Sequence, residues 1–88
     1  MALQQAIESR TGAVASYWRI QEARVDRSAN TLWFTLAGYL DEDARRAGKA
    51  PVDLMSSVVS WESGEMPTAS AIYAEGKKLP ALEGAVDL

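Results

Sequence analysis

A chain of 88 residues with a formal net charge of −3 and a hydrophobic fraction of 48% predicts a single small folded domain over residues 1–88. The chain contains no cysteine and no histidine, which excludes disulfides, thiolate metal sites and the usual Ser–His and Cys–His catalytic pairs. We therefore expect a protein without enzymatic activity, cofactor, metal ion or small-molecule substrate.

The first ten residues fit two kinds of secondary structure. Leu3 and Ile7 lie four residues apart, which suits a short helix, but they also fit one face of a strand. The spacing alone does not decide between them. Thr11 and Gly12 are then predicted to form a turn.

The clearest predicted element is a long hairpin over residues 13–40, AVASYWRIQEARVDRSANTLWFTLAGYL. Two strand-like runs flank a polar turn at residues 26–30. In the first run the alternation of apolar residues changes face after Glu22. A strand cannot change faces without an extra residue or a twist, so we expect a β-bulge near residues 21–23.

The two faces of this hairpin are predicted to have different roles. Large apolar side chains alternate along both runs, so one face is expected to be core. Trp33 lies on the other face, where it is either exposed or covered by a C-terminal helix; aromatic residues are enriched at protein interfaces. The predicted core residues are Trp18, Ile20, Leu32, Phe34 and Leu36, and the candidate interface residues are Trp33, Tyr39, Tyr17 and Arg19.

The rest of the chain predicts a helical turn, a third strand and a C-terminal helix. Asp41 could cap a helical turn that ends at Gly48. Residues 52–61 are predicted to form a third strand, in which serines are interleaved with apolar residues and neither face is purely polar. Thr68 is a suitable N-cap for the C-terminal helix, and Pro80 could start a further turn. We expect an α+β fold, in which an antiparallel meander of three or four strands carries the C-terminal helix packed on one face.

The acidic run after the hairpin could suggest a metal site. Asp41, Glu42 and Asp43 are consecutive, but DEDARRAGKAPV lacks the alternating acids, central glycine and terminal glutamate of a calcium loop. A capped, solvated turn is the favoured interpretation. The serines and lysines occur in no recognisable catalytic motif, and the isolated glycines form no phosphate-binding motif.

Binding of single-stranded nucleic acid is an alternative that the hairpin leaves open. A strand face that is basic and aromatic could stack bases. Intervening acids and the net charge of −3 disfavour it. The residues concerned are Arg10, Arg19, Arg24 and Arg27, the aromatic Tyr17, Trp18 and Trp33, and the acidic Glu8, Glu22 and Asp26.

Charge and hydropathy along the chain bear on location and packing. Residues 1–40 carry one net positive charge and residues 41–88 carry four net negative charges. A solvated acidic face is favoured over head-to-tail packing of copies. The start, MALQQAIESR, lacks the features of a signal peptide, and no apolar run approaches the roughly 20 residues that cross a bilayer. We expect a cytoplasmic protein with no membrane association.

Three segments, TGAVASYWRI, GYLDEDARRAGKAP and AIYAEGKKLPALEGAVDL, carry a resemblance to a known group through their order and spacing. The chain resembles small proteins of tailed bacteriophages and prophages that are encoded among virion structural and tail genes. The matching residues are Thr11, Gly12, Tyr17, Arg19 and Ile20, then Tyr39, Ala44, Arg45 and Gly48 through Pro51, and finally Tyr73, Leu79, Pro80, Gly84, Ala85 and Asp87.

The resemblance implies a non-enzymatic virion structural or tail-assembly protein. Its partners would be copies of itself and other virion proteins, and it would be found in the host bacterial cytoplasm during assembly and then in the virion. Open strand edges would allow sheet extension between copies. The alternative is a small phage-encoded protein that binds or regulates a host factor or single-stranded nucleic acid. The family supplies no site residues that can be carried over.

Overall fold

The computed structural model describes residues 2–9 and 12–87, which form an antiparallel sheet with short helices. The strands are β1 (Leu3–Glu8), β2 (Val14–Asp26), β3 (Thr31–Tyr39), β4 (Asp53–Ser60) and β5 (Val86–Asp87). The helices are α1 (Glu42–Arg46) and α2 (Ala69–Gly76), and a 3₁₀ helix spans Pro80–Leu82.

The sheet has five strands in the order β4-β3-β2-β1-β5, and every neighbouring pair is antiparallel. Strands β1 to β4 form a meander, whereas β5 returns from the far end of the sequence to pair with β1. The prediction of three or four strands was therefore too low. It missed β5. It also left undecided whether the segment of Leu3 and Ile7 is a helix or a strand; this segment pairs with β2 and is strand β1. The fold is mostly β with some helix, within a loose α+β class.

The predicted β-bulge in β2 is confirmed. Ile20 pairs with Leu36 and Glu22 pairs with Thr35, so the strand holds one extra residue between these pairs. A bulge interrupts the ladder of backbone hydrogen bonds. Here the backbone N–H of Ile20 donates to the hydroxyl of Tyr73 at 3.0 Å, which links the bulge to α2.

The hairpin turn is organised by the carboxylate of Asp26. One of its oxygens accepts the backbone N–H groups of Ser28 and Ala29 at 3.0 and 3.1 Å, and the Ser28 hydroxyl at 2.7 Å. The Ser28 hydroxyl, followed by the Ala29 N–H, lowers the pKa of Asp26 because these bonds favour the ionised form. Asn30 completes the turn with φ of 53°, a conformation that asparagine tolerates better than most residues.

Both predicted helix caps are confirmed. The Asp41 carboxylate accepts the backbone N–H of Ala44 at 2.7 Å, and the Thr68 hydroxyl accepts that of Ala71 at 3.2 Å. Gly48 follows α1 with φ of 76°, the left-handed conformation expected of it. The turn predicted at Thr11 and Gly12 includes Thr11, which lies outside the described residues.

The main core lies between one face of the sheet and the segment that contains α2 and the 3₁₀ helix. The Trp18 indole donates its N–H to the Gln5 carbonyl at 3.1 Å, and its ring lies against Gly38. Ile20 is half-buried against this core, as predicted. In residues 2–9 and 12–87, no helix is long and apolar enough to cross a membrane. The sheet contributes Leu3, Trp18, Leu32, Phe34 and Leu36 as fully buried side chains, and the C-terminal segment contributes Ile72, Tyr73 and Leu82.

Candidate functional site

The candidate site is the face of the sheet that points away from α2, which we call the open face. Directly paired residues of neighbouring strands point to the same side of a sheet, and residues alternate along each strand. The pairs that align Tyr17 with Tyr39, Arg19 with Ala37 and Arg24 with Trp33 therefore share this face. On β2, β3 and β4 it comprises Tyr17, Arg19, Glu22, Arg24, Asp26, Thr31, Trp33, Thr35, Ala37, Tyr39, Leu54, Ser56, Val58 and Ser60.

At one end of the open face, three side chains from three strands form a row. Trp33 pairs with Arg24 on one side and Val58 on the other. The Arg24 guanidinium lies 4.9 Å from the centre of the Trp33 ring, within the range of a cation–π interaction. Trp33 is half-buried and Val58 is 58% exposed, and the row borders a shallow depression of about 710 Å³. Trp33 is thus not covered by α2, and it is half-buried and not fully exposed.

The other end of the open face carries two tyrosines. Tyr17 and Tyr39 pair across β2 and β3, but Tyr17 is only 7% exposed whereas Tyr39 is half-buried. Arg19, the next residue of β2 on this face, is also half-buried. The structure thus brings all four candidate interface residues onto one face. Tyr17 can offer a partner little surface, and Trp33, Tyr39 and Arg19 can offer more.

The middle of the open face has short side chains and an apolar rim. Thr35 and Ala37 are buried, and the Thr35 hydroxyl shares a hydrogen bond of 2.8 Å with the hydroxyl of Ser56. Leu54, on the outermost strand, is 54% exposed. Sequence reasoning did not select Leu54 or Val58. Both faces of β4 mix apolar residues with serine, and nothing in the sequence showed which face α2 leaves uncovered.

Opposite charges alternate along the open face of β2. Arg19, Glu22, Arg24 and Asp26 follow one another on this side, so their formal charges cancel. Trp18, a member of the predicted base-stacking set, lies on the opposite side of the sheet, which packs against α2 and which we call the covered face. Arg10 lies outside the described residues.

The acidic residues that follow β3 form the N-terminal end of α1. Asp41 caps α1, and Glu42 forms an ion pair of 2.6 Å with Arg46 one turn later. Across residues 2–9 and 12–87, no three carboxylates lie close enough together to hold a metal ion. In the same ranges, every buried side-chain nitrogen and oxygen has a hydrogen-bond partner.

Comparisons of this chain with protein-family models, curated proteins and solved structures find no match.

Proposed function

We propose that this chain is a structural or tail-assembly protein of a phage or prophage virion, acting through contacts with copies of itself and with other virion proteins. The open face is the observation that carries this proposal. It presents aromatic, aliphatic and charged side chains together, away from the helix that completes the core. Its place would be the host cytoplasm during assembly and the virion afterwards.

The chemistry of the open face suits a protein partner. Trp33 and Tyr39 are rigid aromatic side chains with part of their surface exposed, and such residues are favoured at protein interfaces. Leu54 and Val58 add exposed apolar surface at the rim. Because the charges along β2 cancel, a partner needs mixed charges of its own and not a strong excess of one sign.

Light scattering across a concentration series tests self-association. The wild-type chain is expected to be larger than a monomer at high concentration, and Trp33→Ala should weaken association by at least about tenfold, the loss typical of an interface hot spot. Met66→Ala is the matched control, since Met66 is 62% exposed but lies in the loop before α2. Circular dichroism of each variant checks that the fold is retained.

Purified particles test the virion role separately. Mass spectrometry of virions from a host that carries the gene should detect the chain as a component. A chain that is monomeric at every concentration and absent from particles would overturn the proposal. That result is also what the alternative role, binding to a host factor, predicts.

The second candidate function, binding of single-stranded nucleic acid, is supported by the Arg24 guanidinium over the Trp33 ring. An aromatic ring next to a cation is one way in which proteins stack bases. Opposing it, Glu22 and Asp26 lie on the same side of β2. Titrating tryptophan fluorescence with oligothymidine at low salt decides the question, because such binding must weaken steeply as salt rises. No quenching at low salt removes this candidate.

A further inference from the structure

The two edges of the sheet are built differently. At one edge, β5 has two residues, and Asp87 forms an ion pair of 2.7 Å with Lys77. At the other edge, β4 has eight residues, and from Leu54 to Ser60 its sequence contains no charged residue, proline or glycine. Short strands and charged side chains are how sheet edges avoid pairing with other chains. β5 has both forms of protection, and the central part of β4 has neither.

Alternate residues of β4 direct their backbone groups away from the sheet. The Trp61 N–H donates to the Asn30 carbonyl at 2.7 Å. Because hydrogen-bonded pairs alternate in an antiparallel ladder, the odd-numbered residues of β4 face β3. Leu54, Ser56 and Val58 therefore turn their N–H and C=O groups outward. The Leu54 N–H is held by the Asp53 carboxylate at 2.9 Å.

We propose that two copies of this chain pair antiparallel through β4, around a two-fold axis at Ser56. In this register Ser56 of one copy faces Ser56 of the other, and Leu54 faces Val58 twice, once on each side of the axis. Leu54 and Val58 are 54% and 58% exposed in the single chain. The register thus covers the two most exposed apolar side chains of β4 with each other, and no charge is placed opposite a like charge.

A second copy fits this edge because the edge is self-complementary. A two-fold axis perpendicular to the sheet pairs residues of the same parity, so the open faces of both copies lie on the same side. The row of Arg24, Trp33 and Val58 would continue into Leu54 and then Ala37 of the second copy. The Leu54 N–H would exchange the Asp53 carboxylate for the Val58 carbonyl of that copy. Two five-stranded sheets would become one continuous sheet.

This pairing deepens the self-assembly proposed above, and its role in a particle rests on that proposal. The dimer itself is tested independently. Single cysteines are informative because the chain has none of its own. Directly opposite residues of a hydrogen-bonded antiparallel pair have Cα atoms about 5.5 Å apart, a separation that a disulfide can bridge.

Ser56→Cys should form a disulfide-linked dimer under mild oxidation, as measured on a non-reducing gel at several dilutions. Ser60→Cys is the matched control, because Ser60 is exposed and on the same face of the same strand. In the proposed dimer, the Ser60 positions of the two copies would be separated by eight residues along the strands, roughly 26 Å. We expect at least a tenfold higher cross-linking rate for Ser56→Cys. Equal rates, or faster cross-linking through Ser60→Cys, would overturn the register and the proposal with it.

A charge at the edge provides a second test that needs no cysteine. Val58→Lys should weaken association at least tenfold in sedimentation, since it places a lysine opposite Leu54 on each side of the two-fold axis. Met66→Lys adds the same charge at an exposed loop position and should change nothing. Undiminished association of Val58→Lys counts against the edge pairing.

The outcomes separate the two proposals. If Ser56→Cys does not cross-link but association remains sensitive to Trp33→Ala, the edge pairing fails and the open-face contact stands. If Ser56→Cys cross-links but the chain is absent from particles, the dimer stands and the virion role fails.

Discussion

Two tryptophans on opposite faces of the sheet show how differently those faces are built. Trp18 is fully buried against Gly38, and its indole N–H is bonded to the Gln5 carbonyl. Trp33 is half-buried, and the Arg24 guanidinium lies 4.9 Å from the centre of its ring. On the covered face, stability therefore depends on close packing of buried side chains and on satisfied hydrogen bonds. The open face around Trp33 depends on an interaction that solvent or a partner can reach, so the two tryptophans should respond differently to mutation of their surroundings.

The largest effect is expected on the covered face, at Gly38. A Cβ atom there would lie 2.7 Å from the Trp18 ring, so Gly38→Ala should reduce the free energy of unfolding by about 1–3 kcal/mol through overpacking. Urea denaturation measures this change. Gly76→Ala is the matched control: its Cβ would meet the flexible end of Leu36 at 3.1 Å, and alanine is preferred in a helix. If both variants lose stability equally, the close contact between the Trp18 ring and Gly38 does not limit stability as we infer.

Tyr73→Phe should have the next largest effect, because it removes the hydroxyl that accepts the Ile20 N–H at the bulge. Leaving a partly buried donor unpaired costs about 1–2 kcal/mol. Tyr39→Phe, on the open face, removes a hydroxyl of the same kind and serves as control. Thermal unfolding of both variants makes the comparison, and a neutral Tyr73→Phe would show that water replaces the hydroxyl at the bulge.

On the open face, the coupling between Arg24 and Trp33 should be smaller. A double-mutant cycle with Arg24→Gln and Trp33→Leu is expected to give about 0.5–1 kcal/mol, the range for exposed cation–π pairs. Denaturant titrations of the wild type, both single variants and the double variant supply the four free energies. A coupling as large as the loss for Gly38→Ala would mean that the open face is as rigid as the covered one.

The smallest effect is expected at the turn. Hydrogen bonds from Ser28 and Ala29 lower the pKa of Asp26 below its usual 3.8, so the ionised form stabilises the fold. This contribution is present above pH 3.8 and is lost as the pH falls through the lower pKa of the folded state. Asp26→Asn keeps an acceptor in the turn but cannot titrate. Unfolding curves of the two proteins should therefore differ in pH dependence only in the acid range.

Local patterns in the sequence were enough for much of the fold. The change of apolar parity after Glu22 predicted the bulge, and Asp41 and Thr68 were recognised as caps because each cap is formed within one helical turn. Four of the predicted core side chains are fully buried and Ile20 is half-buried. Each of these features depends on neighbours a few residues away.

What the sequence did not show depends on distant pairing. The segment of Leu3 and Ile7 becomes a strand because it pairs with β2, and β5 is too short to have a pattern of its own. The candidate site was predicted in part. Trp33, Tyr39, Tyr17 and Arg19 were chosen by parity, but both faces of the hairpin carry aromatic residues. Only the position of α2 shows which face is open, and therefore that Leu54 and Val58 are exposed beside Trp33.

The pairing of β5 with β1 has a consequence for the order in which the sheet forms. Leu3 pairs with Asp87 and Gln4 with Val86, so this contact closes a loop of almost the whole described chain. The β2–β3 hairpin closes a loop of a few residues, and such local contacts form much earlier. On the ribosome, β1 through β4 are complete before β5 is synthesised. Until β5 docks, Leu3 and Gln4 add to the free edge of the sheet, so a nascent chain is more prone to indiscriminate strand pairing than the folded protein.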